Sequence, residues 1–233
     1  MKKVGFIIFA VALTLGLVLS NVFSFGRISD KFFNFSFNFK GVKGSGNSVS
    51  EIREVRGFKA VDVGGVFQVE ITAQKEFRVE VEADDNLLPL IKTEVDGGVL
   101  RIETERKLSP GSPIRIRVYA PDIDKLEVSG VANVTLNDVK NAALTLDSSG
   151  ASKIKVAGET GKFTVDVSGA TKIDAENLKA ENANIEASGA STVTVNVTGN
   201  LRTEASGASK IIYTGTPANI EKSTHGASRV SQK

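Results

Sequence analysis

One phrase recurs through the second half of the chain. From Asp124 to Val230 the sequence passes through VSGVANV, SSGASKI, VSGATKI, ASGASTV, ASGASKI and THGASRV. Their central glycines, Gly130, Gly150, Gly169, Gly189, Gly207 and Gly226, are spaced by 20, 19, 20, 18 and 19 residues. So short a unit cannot bury an apolar face of its own, and successive units must stack to make a core.

Aligning the units on the glycine shows where side chains point. Six places before it stand Leu144, Phe163, Ala183, Leu201 and Ile220; four before, Leu126, Leu146, Val165 and Ile185; two before, Val128, Val167, Ala187 and Ala205. Period two is the mark of a strand. Beyond the glycine the apolar places are +1 (Val131, Ala151, Ala170, Ala190, Ala208, Ala227), +4 (Val134, Ile154, Ile173, Val193, Ile211, Val230) and +6 (Leu136, Val156, Ala175, Val195, Tyr213). The alternation slips by one place, which predicts a bend in left-handed backbone at the glycine, with the +1 alanine against the interior. Gly65 heads an earlier copy, flanked by Val61, Val63, Val66, Val69 and Ile71, so the bend set is Gly65, Gly130, Gly150, Gly169, Gly189, Gly207 and Gly226.

Stacked in register, these units give an all-β fold, a right-handed parallel β-helix. A leucine-rich horseshoe is excluded by the absence of LxxLxLxxN, and a propeller by the short period. Asp96-Gly97-Gly98 between alternating runs predicts a tight hairpin, hence antiparallel elements near the N-terminal end. Leu87 to Leu90 is a short helical candidate with Asp85 or Asn86 as cap. Asn137-Asp138, Gly158 to Gly161, Asn177 to Asn182, Gly199-Asn200 and Gly215 to Pro217 read as loops between coils.

The N-terminal part differs in kind. Residues 1–25 carry two lysines and then an apolar run from Val4 to Leu19, either a cleaved signal peptide or a membrane anchor, so the protein is expected to be exported to the periplasm or cell surface. Residues 26–48 form a linker or capping segment in which Phe33, Phe35, Phe37 and Phe39 alternate with polar residues; this suits either a lipid surface or the open end of the helix. Gly41 to Asn47 reads as a flexible joint, and residues 49–233 as the β-helix domain. With no cysteine and a formal charge of +2, the chain has no thiol chemistry and no field to attract nucleic acid.

Outward positions carry two charge ladders. Three places before the glycines stand Asp62, Glu127, Asp147, Asp166, Glu186 and Glu204; three after stand Gln68, Asn133, Lys153, Lys172, Thr192, Lys210 and Arg229. Carboxylates one coil apart repel by roughly 1 kcal/mol in water. Lysines of the neighbouring strand, with solvent, are expected to screen them; the sharper reading is cation or sugar-hydroxyl binding, although the calcium-binding glycine-aspartate repeat is missing. The repeated serines, Ser129, Ser149, Ser168, Ser188 and Ser206 before the glycine and Ser152, Thr171, Ser191, Ser209 and Ser228 at +2, lack a partner base. The sole histidine, His225, is expected at the surface of the last unit, so the hydroxyls are assigned to backbone groups at the bend. No cofactor, metal or catalytic residue is expected.

GSGNSVSEIREVRGFKAVDVGGVFQVEI (Gly44 to Ile71), VEVEADDNLLPLIKTEVDGGVLRIET (Val79 to Thr104) and the SGAS units resemble the putative auto-transporter adhesin head GIN domain family, over roughly Gly44 to Val230. The resemblance implies an exported bacterial β-helix and brings no catalytic residues. The chain ends straight after the last repeat, so a translocator barrel in the same polypeptide is not expected. The functional expectation is a non-enzymatic envelope binding module for glycan or protein, with Asp62, Glu127, Asp147, Asp166, Glu186, Glu204, Lys153, Lys172, Lys210 and Arg229 as its surface. The alternative is a structural or regulatory envelope protein that docks a partner through its open end; a polysaccharide-cleaving enzyme ranks lower, because the ladders are regular and the loops short. The last coil, Ile220 to Val230, is expected to pair with another chain or to fray, and an uncleaved N-terminal segment is expected to associate with the membrane.

Overall fold

Strands dominate residues 41–233, which the computed structural model describes; the expected signal or anchor and the phenylalanine segment lie outside the described residues. The chain enters through β1 (Val42–Lys43) and β2 (Ser48–Arg53) and makes a first coil from β3 (Ala60–Gly65) and β4 (Gln68–Thr72). It then departs through β5 (Arg78–Asp84), a 3-10 turn at Leu88–Leu90, the hairpin of β6 (Ile91–Asp96) and β7 (Val99–Thr104), β8 (Leu108–Ser109) and β9 (Arg115–Tyr119). After that the coils follow one another through β10 (Lys125–Gly130), the long bent strands β11 (Asn133–Gly150), β12 (Lys153–Gly169) and β13 (Lys172–Ala187), then β14 (Thr192–Val197), β15 (Asn200–Ala205), β16 (Lys210–Thr214), β17 (Asn219–Thr224) and β18 (Arg229–Gln232).

Parallel pairing arranges these strands in three faces. The first face stacks β7, β3, β10, the later parts of β11, β12 and β13, then β15 and β17. The second stacks β9, β4, the early parts of β11 to β13, then β14, β16 and β18. A narrow third face joins 139–141, 158–160, 178–180 and 196–197. Register is unit on unit: Leu126, Leu146, Val165 and Ile185 lie one above another and all are buried. Several stretches expected as loops, including Gly158 to Gly161, are this third face, reached by a register shift such as that between Leu136 and Val139.

Space and sequence part company in the first coil. β3 and β4 lie between β7 and β9, which come later in the chain, and β10 and β11, later still. Val63 pairs with Ile102 on one side and Val128 on the other. The excursion therefore slides a coil beneath the first one before the stack grows away from it.

At the glycine the structure corrects the sequence reading. The alternation does not slip: buried positions run −6, −4, −2, +2, +4 and +6 straight through the corner. The +1 residues point outward, with Val66 67% and Val131 58% exposed, whereas Ser152, Thr171, Ser191 and Ser209 at +2 are buried. Sequence pattern misassigned them because a hydroxyl reads as polar. It can be buried here because it bonds back to the coil below: Ser152 Oγ donates to the Gly130 carbonyl at 3.1 Å, Thr171 Oγ1 to Gly150 at 3.2 Å, and Ser209 Oγ to Ala187 at 3.1 Å.

The glycines themselves stack in one column. A Cβ on Gly169 would stand 2.5 Å from the carbonyl oxygen of Gly150, and one on Gly189 2.6 Å from that of Gly169. The left-handed backbone expected throughout is present at Gly169 (φ 98°) and Gly189 (φ 76°), but Gly150 has no positive φ. Close approach between coils, more than the bend, is what demands a residue without Cβ.

The two ends are closed differently. At the N-terminal end β5 runs antiparallel to β9, β2 antiparallel to β5, and β6 antiparallel to β7 through the predicted Asp96-Gly97-Gly98 turn. Val79, Val81, Ala83, Leu87 and Ile91 fill this floor, and Phe58 meets Phe77 with ring centroids 5.0 Å apart. Gly41 to Asn47 is tied down: Ser45 Oγ donates to Asp85 at 2.5 Å, Asn47 Nδ2 to the same carboxylate at 2.9 Å, and Asn86 Nδ2 to the Lys43 carbonyl at 2.9 Å. The hydrogen bond from Ser45 holds the Asp85 carboxyl below its usual range. Asp85 and Asn86 thus clamp the entering chain and cap no helix; the 3-10 turn has no side-chain cap.

At the other end β17 is exposed along its whole length, and Ile220 is 41% exposed. Lys222 pairs in register with the buried Thr203 and so occupies an inward place. Its ammonium donates to the Tyr213 hydroxyl at 3.2 Å and lies 4.6 Å from that ring's centroid. An inward charge on an edge strand opposes pairing with another chain, and Lys222 works against the association expected of this coil.

Candidate binding faces

Strand alternation turns the −3 residues outward on the first face, and strict register makes them one column. Asp62 pairs with Glu127, Glu127 with Asp147, Asp147 with Asp166, Asp166 with Glu186, and Glu186 with Glu204; Arg101 stands below and Ser223 above. All six predicted carboxylates are brought together. Ser129, Ser149 and Ser168 run beside them, and the two columns border a shallow groove.

Electrostatics along the column are uneven. Lys125 Nζ meets Glu127 at 2.5 Å and Asp147 at 3.4 Å, and the hydrogen bond to Glu127 raises its own pKa. Burial, and next the Glu127 carboxylate, push the Asp62 carboxyl above its usual range, with Arg101 pulling the other way. Asp166, Glu186 and Glu204 have no ion pair among the described residues. Lys125 is thus the one lysine in ion-pair contact with the column among the described residues, and the Arg101 and Lys125 charges also act on Asp62. Lys125 stands at −5, where the next repeats place Thr145, Thr164 and Asn184, and the Gly207 unit places Arg202, which pairs with Glu221 at 3.4 Å.

The predicted lysines lie on the second face. There Lys153, Lys172, Thr192, Lys210 and Arg229 form one in-register column above Arg115, Gln68 and Asn133. Near the floor the bases are paired: Arg115 meets Glu82 at 2.9 Å, and Arg117 meets Glu80 at 3.4 Å and Glu82 at 3.3 Å. Higher up, Lys153, Lys172, Lys210 and Arg229 are exposed and carry no ion pair among the described residues.

His225 is exposed, with Nε2 3.3 Å from Ser223 Oγ, and no described serine has a histidine placed as base within a shaped cavity. No group of three or more His, Cys, Asp or Glu among the described residues is arranged to hold a metal ion. Sequence reasoning missed an asparagine ladder at the corner before the first face, where Asn200 Nδ2 donates to Asn182 at 2.7 Å and Asn219 Nδ2 to Asn200 at 2.9 Å. Its signal was the recurrence of asparagine in stretches read as loops.

Comparison with known proteins adds a family and a set of folds. The family described as "Putative auto-transporter adhesin, head GIN domain" matches residues 57–217. No curated protein matches the sequence. Among solved structures, a putative adhesin from Bacteroides fragilis NCTC 9343 is 20% identical, with a TM-score of 0.70 over 83% of this chain and 100% of that one. A putative adhesin from Parabacteroides merdae ATCC 43184 is 19% identical, with a TM-score of 0.55 over 83% and 99%. A putative lipid binding protein from Parabacteroides distasonis ATCC 8503 is 20% identical, with a TM-score of 0.54 over 83% and 100%. These likenesses show the fold.

Proposed function

Because the chain belongs to the putative auto-transporter adhesin, head GIN domain family, we propose that it is a non-enzymatic, adhesin-type binding module displayed at the bacterial cell envelope, with the first face as its contact surface. The observation that carries this reading is the in-register column of six carboxylates, flanked by exposed serines, on a frame too regular to form a catalytic cleft. Carboxylate and hydroxyl oxygens at about 4.8 Å intervals accept hydrogen bonds from glycan hydroxyls or from cationic side chains of a protein. The adhesin-like relatives favour export and surface display. No helix among the described residues is long and apolar enough to cross a membrane.

The test is a glycan array probed with the full-length chain and with a triple variant, Asp147→Ala, Asp166→Ala and Glu186→Ala. Saturable binding that the variant loses while keeping its melting temperature is the expected result. Binding that survives in the variant moves the site off the first face, and no binding at all removes the glycan reading.

A further inference from the structure

The acidic and basic columns run along the same rod with the same rise, since both are set by the coil. Read from the coil of β12 upward, the second face presents Lys153, Lys172, Thr192, Lys210 and Arg229. Starting one coil lower, the first face presents Glu127, Asp147, Asp166, Glu186 and Glu204. Neither column satisfies the other within one molecule: Asp166, Glu186 and Glu204 on one and Lys153, Lys172, Lys210 and Arg229 on the other have no ion pair among the described residues, while Arg202 beside the acidic column is taken up by Glu221 at 3.4 Å.

From this complementarity we infer that the partner of the first face is the second face of another copy of this chain. This rests on the reading of the first face as the contact surface and names what occupies it. With the second copy displaced by one coil, Glu127 meets Lys153, Asp147 meets Lys172, Glu186 meets Lys210 and Glu204 meets Arg229, leaving Asp166 opposite Thr192. The basic order, two cations, a threonine and two cations, is symmetric. An inverted copy therefore makes the same number of pairs, Glu127 with Arg229, Asp147 with Lys210, Glu186 with Lys172 and Glu204 with Lys153. The contact is heterologous, so a pair retains one free basic face and one free acidic face, and association continues into a lateral array instead of stopping at a dimer. Opposite charges at coil spacing repeat the attraction rung by rung, and salt screens it.

The test uses the full-length chain in one non-ionic detergent, followed by sedimentation velocity at low and high ionic strength. Wild type is expected to form large species at low salt and to revert at high salt. An acid-face variant, Glu127→Lys, Asp147→Lys, Glu186→Lys and Glu204→Lys, and a base-face variant, Lys153→Glu, Lys172→Glu, Lys210→Glu and Arg229→Glu, are each expected to lose the large species while keeping the wild-type circular dichroism spectrum. Mixed in equal amounts, the two variants are expected to assemble again, because the reversed acids now face the reversed bases. A wild type that stays monomeric at low salt, variants that assemble alone, or a mixture that fails to assemble would each overturn the inference. A base-face variant that does not fold leaves the acid-face variant decisive, since its loss of assembly is required on its own. Glycan binding by wild type at high salt would keep the proposed function even if this inference fails.

Discussion

The floor and the roof of this rod are built from the same kind of strand yet are held in opposite ways. Beneath the first coil, antiparallel strands, a hairpin and the Asp85 clamp cover the core, with β2 and β6 as the outer strands. Above the last, β17 and β18 end in water with one inward lysine as guard. The repeated phrase hides this gradient. A Cβ would stand 2.5 Å from the carbonyl of the coil below at Gly130, 2.8 Å at Gly207 and 3.0 Å at Gly226. Identical local sequence thus carries unequal structural weight, because the constraint comes from what is stacked on either side.

The glycine column gives the widest contrast. Gly130→Val is expected to cost more than about 4 kcal/mol and to abolish cooperative folding, whereas Gly226→Ala costs about 1–2 kcal/mol. Denaturant melts of both check this, and equal losses would break the comparison. In the core, Phe163→Ala at a fully buried site should cost about 3–5 kcal/mol and Ile220→Ala, half exposed, under about 1 kcal/mol. Amide exchange should rank β17 and β18 as the fastest strands, well ahead of β10 and β11.

Lys222→Ile sharpens the point about the roof. At high salt, which suppresses lateral pairing, the variant is expected to form end-to-end dimers in sedimentation while wild type stays monomeric; a monomeric variant would remove the guarding role. Asp62→Asn has the smallest expected effect. The folded-state pKa of Asp62 is raised, so the folded chain binds more protons than the unfolded one just above the usual carboxylate range. Stability is then lost as pH rises through that window, and the penalty is complete at neutral pH. The variant should melt slightly higher than wild type at neutral pH, with the difference vanishing in acid; a lower melting point at neutral pH would contradict the sign.

Much of this was legible in the residues, for physical reasons that also explain the misses. Glycine spacing and period two specified the coil and its register, so the acidic and basic columns could be drawn before any coordinate was known. Burial of Ser152, Thr171, Ser191 and Ser209 could not, because a polarity scale is blind to a hydroxyl that bonds to the preceding coil. The placing of the bases opposite a different face from the acids depended on where the corner falls. Lys125 and Lys222 act at one unit each, and averaging over the repeat erases such single-copy residues. The order of the first coils was hidden as well, since parallel pairing partners of β3 look alike wherever they occur in the chain.

That hidden order also sets a schedule for folding. Every later coil finds a finished template directly below it when it leaves the ribosome or crosses a membrane. The first coil has no such support: Val61 meets Leu100 beneath it and Leu126 above it, so it stays unconsolidated until the excursion has been made and returned. Closure of those long loops is the slow, entropy-limited event. Once it is past, the rod grows from its base in one direction, and the number of glycine phrases alone decides its length.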